Sequence, residues 1–147
     1  METLWSLSMS IQVGVGAIVL RRRLQGDLEL LLVQRLKDPG KGSWAVPGGR
    51  MKFGETLSSC AEREVLEETG LRVRAENRAC YGFSVRVSDD LQYVVVDVKA
   101  ELMDEQAEPV AADDAGGAEF FSREAFEKIG HVNEETKKLV SVLRLFE

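Results

Sequence analysis

The chain has 147 residues, 44% of them hydrophobic and 30% charged, with a net charge of −6 at neutral pH. That size predicts one domain around one hydrophobic core, and no apolar run approaches the roughly 20 residues that cross a bilayer. The acidic balance is the wrong sign for a protein that replaces counterions on a nucleic-acid polymer, though a nucleotide remains open as a substrate because metal ions can supply positive charge. The expectation is a cytoplasmic protein whose partner is a small molecule, with no nucleic-acid polymer and no membrane. Cys60 and Cys80 provide neither a disulfide framework nor a zinc set and read as small buried apolar residues. The single histidine, His131, excludes a multi-histidine metal site.

Residues 1–10 carry an early glutamate and no basic segment, and read as a short N-terminal arm, not a signal peptide; residues 11–147 form the expected domain. A strand over 11–20, a turn at Arg21-Arg22-Arg23 and Gly26, and a strand over 28–34 predict a hairpin, with the arginines solvated. Asp38-Pro39-Gly40-Lys41-Gly42 is a loop. Trp44-Ala45-Val46 is a short strand stopped by Pro47-Gly48-Gly49. Thr56 is an N-cap for a helix over 57–69. Gly70 fits the left-handed position beyond its end, and Leu71 the apolar contact that follows.

Strands are predicted over 71–75, 81–87 and 93–101, with a turn at Asp89-Asp90, then a polar loop over 107–117 and a short strand over 119–121. Ser122 caps a helix over 123–129. A last amphipathic helix covers 134–146, with Leu139, Val140, Val142, Leu143 and Leu145 as its apolar set. Several strands around a central helix imply a sheet with helices on both faces.

On a helical wheel of about 100° per residue, Glu64, Glu67 and Glu68 fall within roughly a 100° arc beside Leu57, Cys60 and Ala61. Carboxylates at this spacing repel by a few tenths of a kcal/mol when exposed and by more when desolvated. A hard divalent cation relieves that repulsion, and magnesium takes oxygen ligands while keeping waters and substrate phosphates. From the wheel alone, an acidic solvated helix face explains the pattern equally well.

The full spacing decides between the two. It runs Gly49, five residues, Glu55, seven residues, Arg63-Glu64, Val65, one residue, Glu67-Glu68, one residue, Gly70 and Leu71. This matches every position of the Nudix box, and the chain resembles the short, single-domain members of the Nudix hydrolase superfamily, the ADP-ribose pyrophosphatases and (d)NTP pyrophosphatases among them. The flanking Trp44-Ala45-Val46-Pro47-Gly48-Gly49 and Tyr93-Val94-Val95-Val96-Asp97 resemble the family more loosely.

The fold that the resemblance implies is α+β, a Nudix-type α/β/α sandwich with a central mixed β-sheet. Glu64 and Glu68 correspond to principal metal ligands, Glu67 to a further ligand or a carboxylate directing water, and the Gly48 carbonyl to another ligand. Arg63 corresponds to the residue that orients the glutamates, and Glu55 to the carboxylate supporting it. Glu64 or Glu67 is the general base. The cofactor implied is Mg2+, with Mn2+ able to stand in.

The leading expectation for the activity is hydrolysis of a pyrophosphate bond in a nucleoside diphosphate linked to another moiety, ADP-ribose or a related nucleotide sugar. A (d)NTP pyrophosphatase is the alternative in the same class, and a non-catalytic nucleotide-sensing module the alternative outside it. Asp114, Phe83 and Tyr93 are the candidate substrate contacts. Many short members carry a glutamate two to four residues before the aromatic pair that matches Phe120-Phe121; Gly116, Gly117 and Ala118 stand there, leaving Asp113, Asp114 and Glu119 as local substitutes. Short members often pair, which leaves a homodimer open.

Overall fold

In the computed structural model residues 9–147 apart from Pro39 are described; the arm lies outside these residues up to position 8, with Trp5 in it. Strand β1 (Ser10–Arg22) is the hub of the sheet. It runs antiparallel to β2 (Leu28–Arg35), giving the expected hairpin with Leu20 opposite Leu30 and Arg22 opposite Leu28. β2 also holds β3 (Trp44–Ala45), and β1 holds β4 (Gly48–Arg50). A 13-residue helix α1 (Leu57–Thr69) follows. The long β5 (Val73–Arg86) then turns into β6 (Leu91–Leu102), which lies parallel to β1 over ten paired residues. β7 (Ala115–Ser122) pairs with β2. Two short helices close the described chain, α2 (Arg123–Lys128) and α3 (Glu134–Leu143). The strand order β3-β2-β1-β6-β5, with β4 on β1 and β7 on β2, is the mixed sheet that the resemblance implied.

The β1 and β2 side chains alternate between two apolar layers. Val15, Ala17, Val19 and Leu31 pack with Val98 and Ala100 of β6 against Cys60, Ala61 and Val65 of α1. Ile18, Leu30 and Leu32 face the other way, onto Leu139 of α3, Leu145, and Phe126 of α2. A buried valine or leucine contributes about 1.5–3 kcal/mol, so both layers anchor the sheet between helices. Among the described residues no helix is long and apolar enough to cross a membrane.

Several local expectations change. Arg21 is buried, not solvated: β1 runs on through it, and alternation turns it inward, where Glu29 takes its Nε and Nη2 at 3.2 and 2.9 Å. Its guanidinium lies 4.0 Å over the Phe120 ring, an arrangement that compensates a desolvated charge. Gly48-Gly49 does not merely break a strand but forms β4. The strands expected over 71–75 and 81–87 are one strand, β5, with irregularities between Ala75 and Tyr81. α3 ends at Leu143 because Arg144 takes a left-handed conformation (φ 52°), and Val142 is exposed. Cys60 is buried as expected, whereas Cys80 is only half-buried.

Candidate active site

α1 begins with a reciprocal cap: the Ser59 N–H donates to Thr56 Oγ1 at 3.1 Å, and the Thr56 N–H to Ser59 Oγ at 2.9 Å, satisfying two amides that a helix start leaves free. Gly70 ends the helix in the left-handed conformation (φ 74°). The face buried on the sheet is Cys60, Ala61, Val65 and Thr69. Residues this small bring the helix close to β1 and set positions 64 and 68 at its margin, facing β4.

There Glu68 Oε1 accepts the Gly48 N–H at 2.9 Å. Gly48 is available because its neighbours make the ladder bonds: Ala17 N–H reaches Pro47 O, and Met51 N–H reaches Val13 O. Residue 48 is therefore turned away from β1, and its carbonyl shares that outward edge. Gly49 sits under Glu64. A Cβ there would come within 2.5 Å of the Glu64 carboxyl carbon and 2.7 Å of Oε1, so only glycine lets this carboxylate lie against the strand.

Arg63 organises the cluster. It donates to Glu55 through both Nε (2.6 Å) and Nη2 (3.0 Å), the bidentate geometry that fixes a guanidinium plane. Nη1 then reaches Glu64 at 2.8 Å and Glu67 at 3.3 Å, and Nη2 also donates to the Arg50 carbonyl at 3.1 Å. Glu55 is held from behind by the Lys52 N–H at 2.7 Å.

The electrostatics set Glu55 apart from Glu64 and Glu68. The hydrogen bonds from Arg63 hold the Glu55 carboxyl down at about 2. Burial pushes Glu64 above the usual carboxylate range although Arg63 opposes it. Burial pushes Glu68 up to about 8, with Glu64, Asp113 and Asp114 adding repulsion and the Gly48 N–H opposing it. The same desolvation takes the Cys60 thiol to about 11, which makes it a poor nucleophile.

Among the described residues no three His, Cys, Asp or Glu side chains converge as a ready ion cage. The hydrogen bonds explain this: Glu64 and Glu67 are turned onto Arg63, and Glu68 onto Gly48. The donor set still fits a hard divalent cation, because it is all oxygen and Glu68, half-buried among like charges, is paired among the described residues with a backbone N–H alone. Magnesium keeps waters and needs few protein ligands.

Of the candidate substrate contacts, Asp114 is placed apart from Phe83 and Tyr93. Asp114 is exposed and paired with Lys37 at 3.1 Å, in a loop tied to the end of α1 by Val110 N–H to Thr69 O and Ala112 N–H to Glu68 O. Asp113, in a left-handed conformation (φ 56°), belongs to the same loop. Phe83 and Tyr93 lie on the sheet face opposite α1, paired respectively with Val95 and Val85, and both are half-buried. Trp44 stacks edge-on against Phe121 at 5.0 Å, as part of the core. Two concavities of about 580 and 250 Å3 lie elsewhere, around Arg22, Arg123 and Phe146 and around Arg21, Glu29 and Glu108, and include no box residue. Asp97, which the sequence offers only as the end of a family-like run, is buried with its Oδ2 unpartnered among the described residues.

With this geometry in view, comparison with known proteins gives the class. The NUDIX domain model matches residues 10–143, and the chain belongs to the NUDIX family; it is a hydrolase acting on pyrophosphate bonds. It is 32% identical over 115 residues to an ADP-ribose pyrophosphatase of Methanocaldococcus jannaschii, a match covering 78% of this chain and 67% of that protein. It is 44% identical over 66 residues to a human 8-oxo-dGDP phosphatase, covering 45% of this chain but only 20% of that protein. In three dimensions it resembles the NUDIX domain of Shewanella oneidensis NrtR, solved with ADP ribose, at a TM-score of 0.72 and 22% identity over 92% of this chain and 87% of that one, a likeness of fold.

Proposed function

We propose that this hydrolase cleaves a nucleoside diphosphate linked to a second moiety, with ADP-ribose or a related nucleotide sugar as substrate and Mg2+, replaceable by Mn2+, as cofactor. The observation that carries the reading is the division of charge around Arg63: Glu55 fixes the guanidinium, which orients Glu64 and Glu67, while Glu68 is half-buried on the Gly48 N–H with no ion pair among the described residues. Glu64, Glu67, Glu68 and the Gly48 carbonyl would hold the ion, which when bound would neutralise phosphate oxygens and lower the pKa of water. Glu64 or Glu67 is the base placed to take the proton of the attacking water. The water oxygen bonds to one phosphorus as the anhydride P–O bond breaks, and the other phosphate departs with its electron pair. Cys60, buried and with a raised pKa, offers no covalent route.

The choice of ADP-ribose is supported by the archaeal relative's activity. The human relative, an 8-oxo-dGDP phosphatase, supports a second reading, a free nucleotide such as a nucleoside diphosphate. Incubation with Mg2+ and a panel of ADP-ribose, sugar nucleotides and (d)NTPs separates them. AMP and ribose 5-phosphate from ADP-ribose is the expected result. A monophosphate with phosphate or pyrophosphate, from nucleotides alone, reassigns the substrate. Folded protein that turns over no phosphoanhydride rejects the hydrolytic mechanism.

A further inference from the structure

β5 ends the strand order β3-β2-β1-β6-β5, so one of its edges faces away from the sheet. Such an edge offers unpaired N–H and C=O groups to any strand that can lie beside it, and proteins usually close or blunt it. The first part is closed from within. The Ala75 N–H donates to Glu62 Oε2 of α1 at 2.9 Å, and Asn77 Oδ1 accepts the Ser58 N–H at 3.3 Å. Beyond the irregularity before Tyr81, no described residue does the same.

The hairpin fixes which groups are open. The Val87 N–H donates to the carbonyl of Leu91, the residue opposite it, at 2.9 Å. Bonded and non-bonded pairs alternate along an antiparallel ladder, so Phe83 and Val85 turn their backbone groups to β6. Gly82, Ser84 and Arg86 turn theirs outward, where no described residue meets them. The pairing with β6 is regular from Tyr81 to Arg86, and no proline stands on the strand. The side chains leave the same stretch uncovered: Val85 and Val87 are 44% and 49% exposed.

We infer that this edge is an interface for a second copy of the chain, whose own β5 pairs antiparallel with it about a twofold axis at Ser84. The occupant is argued from self-complementarity. Outward residues must meet outward residues, and an axis at Ser84 pairs all of those on the regular stretch: Ser84 with Ser84, and Gly82 with Arg86 in both directions. Each pair then exchanges both backbone bonds. An axis at Gly82 would instead carry Arg86 onto the Arg78 stretch of the second copy, and like charges set opposite are destabilising.

The Ser84 register has two further consequences. Phe83 lies opposite the second copy's Val85, and Tyr81 opposite its Val87, so both exposed valines are covered. Arg78 comes to the turn at Asp89 and Asp90 of the second copy. Within one copy Arg78 and Asp89 are both largely exposed, and Arg78 reaches Glu76 only at 3.8 Å. The charges at the two ends of the seam are therefore opposite, which selects a partner identical to the chain itself.

The test reads mass in solution by light scattering on the full chain, from micromolar to millimolar concentration. A dimer is expected. Ser84→Pro removes the outward N–H and spares the β6 ladder, since proline is tolerated on an edge strand whose N–H faces away from its neighbour. Val85→Lys puts a charge on the seam. Each should raise the dissociation constant by about 10-fold or more, because the twofold axis applies each change twice, while a thermal melt shows a folded chain. In a Cys80→Ala background, Ser84→Cys should give a reducible covalent dimer under a mild thiol oxidant. Cα atoms about 5.5 Å apart across a bonded pair lie within disulfide range. Ser141→Cys on α3 should give none, and the cysteine variants keep the idea testable if the proline variant does not fold. A monomer throughout the concentration range overturns the inference and leaves the edge to the N-terminal arm or to solvent. A dimer that survives both Ser84→Pro and Val85→Lys, or that Ser84→Cys does not lock, pairs through another surface and overturns it equally.

Discussion

Replacing Gly49 with alanine tests whether Glu64 works in the place where the structure holds it. The new methyl carbon would fall within 2.5 Å of the Glu64 carboxyl carbon, where ordinary contact begins at 3.4 Å. The carboxylate must retreat by about 1 Å, which breaks its 2.8 Å bond from Arg63. A misplacement of about 1 Å in a positioned group lowers rate on the order of 100-fold, so kcat/KM should fall by about that factor and Mg2+ or Mn2+ should bind more weakly. Stability should barely move. Gly49 is not in a left-handed conformation, so alanine suits its backbone and gains about 0.4–1 kcal/mol by restricting the unfolded chain, offsetting the displaced side chain. Hydrolysis rates, metal titration by calorimetry and a thermal melt together read the prediction. Full activity with unchanged metal affinity refutes the role of Glu64. A large drop in Tm refutes the dissociation of site from scaffold.

Three other outcomes follow from the same geometry. Glu68→Gln keeps the shape and the Gly48 hydrogen bond but removes the charge. Hydrolysis should fall by at least about 100-fold, since even residues that only support metal ligands cost 10- to 100-fold, while the metal-free Tm holds at neutral pH, where the raised Glu68 carboxyl is largely protonated, and rises above about pH 8, where the wild type must carry an uncompensated charge; near-normal turnover rejects its ligand role. Arg63→Lys replaces a bidentate fork with a point charge and should weaken metal binding by roughly 10-fold or more, with Glu55→Gln adding little on top; full additivity would mean the two act independently. Burial, with repulsion from Glu135, raises Asp97 to about 6, so its contribution to stability is fully present below its ordinary value near 4 and is lost as pH rises through about 6. Tyr81 from β5, and Glu135 and Lys138 from α3, are the groups facing that neighbourhood. Asp97→Asn should therefore gain on the wild type between about pH 4 and pH 7, on the order of 2–3 kcal/mol, read by urea unfolding at the two ends; a difference flat with pH rejects it.

What could be read from the chain alone follows the range over which each feature is encoded. α1 is written in local spacing: a cap at Thr56, small residues toward the sheet, carboxylates three and four apart, and a left-handed stop at Gly70. Its bounds match residue for residue. Arg21 was misjudged because an arginine triplet beside a turn looks solvated until β1 proves to run through it and Glu29 to lie opposite. Gly48 and Gly49 read as a break because two glycines carry no strand pattern; their pairing with β1 is a tertiary fact. The loop over 107–114 carried no periodic signal, yet hydrogen bonds to Thr69 and Glu68 set Asp113 and Asp114 within electrostatic reach of the box.

The box and Asp97 differ in the same way. The box needs one helix and one adjacent strand, so its residues stand within about 20 positions of each other and leave a dense motif. Asp97 owes its surroundings to the parallel register of β1 on β6, which sets it beside Gly16 across some 80 residues. A slip of one residue in that register would turn Asp97 into the α1 core and bring a valine onto Gly16. No short pattern can specify such a juxtaposition. The carboxylate cluster is accordingly legible in sequence, while the burial of a carboxylate on the other face of the sheet is written in the pairing of strands.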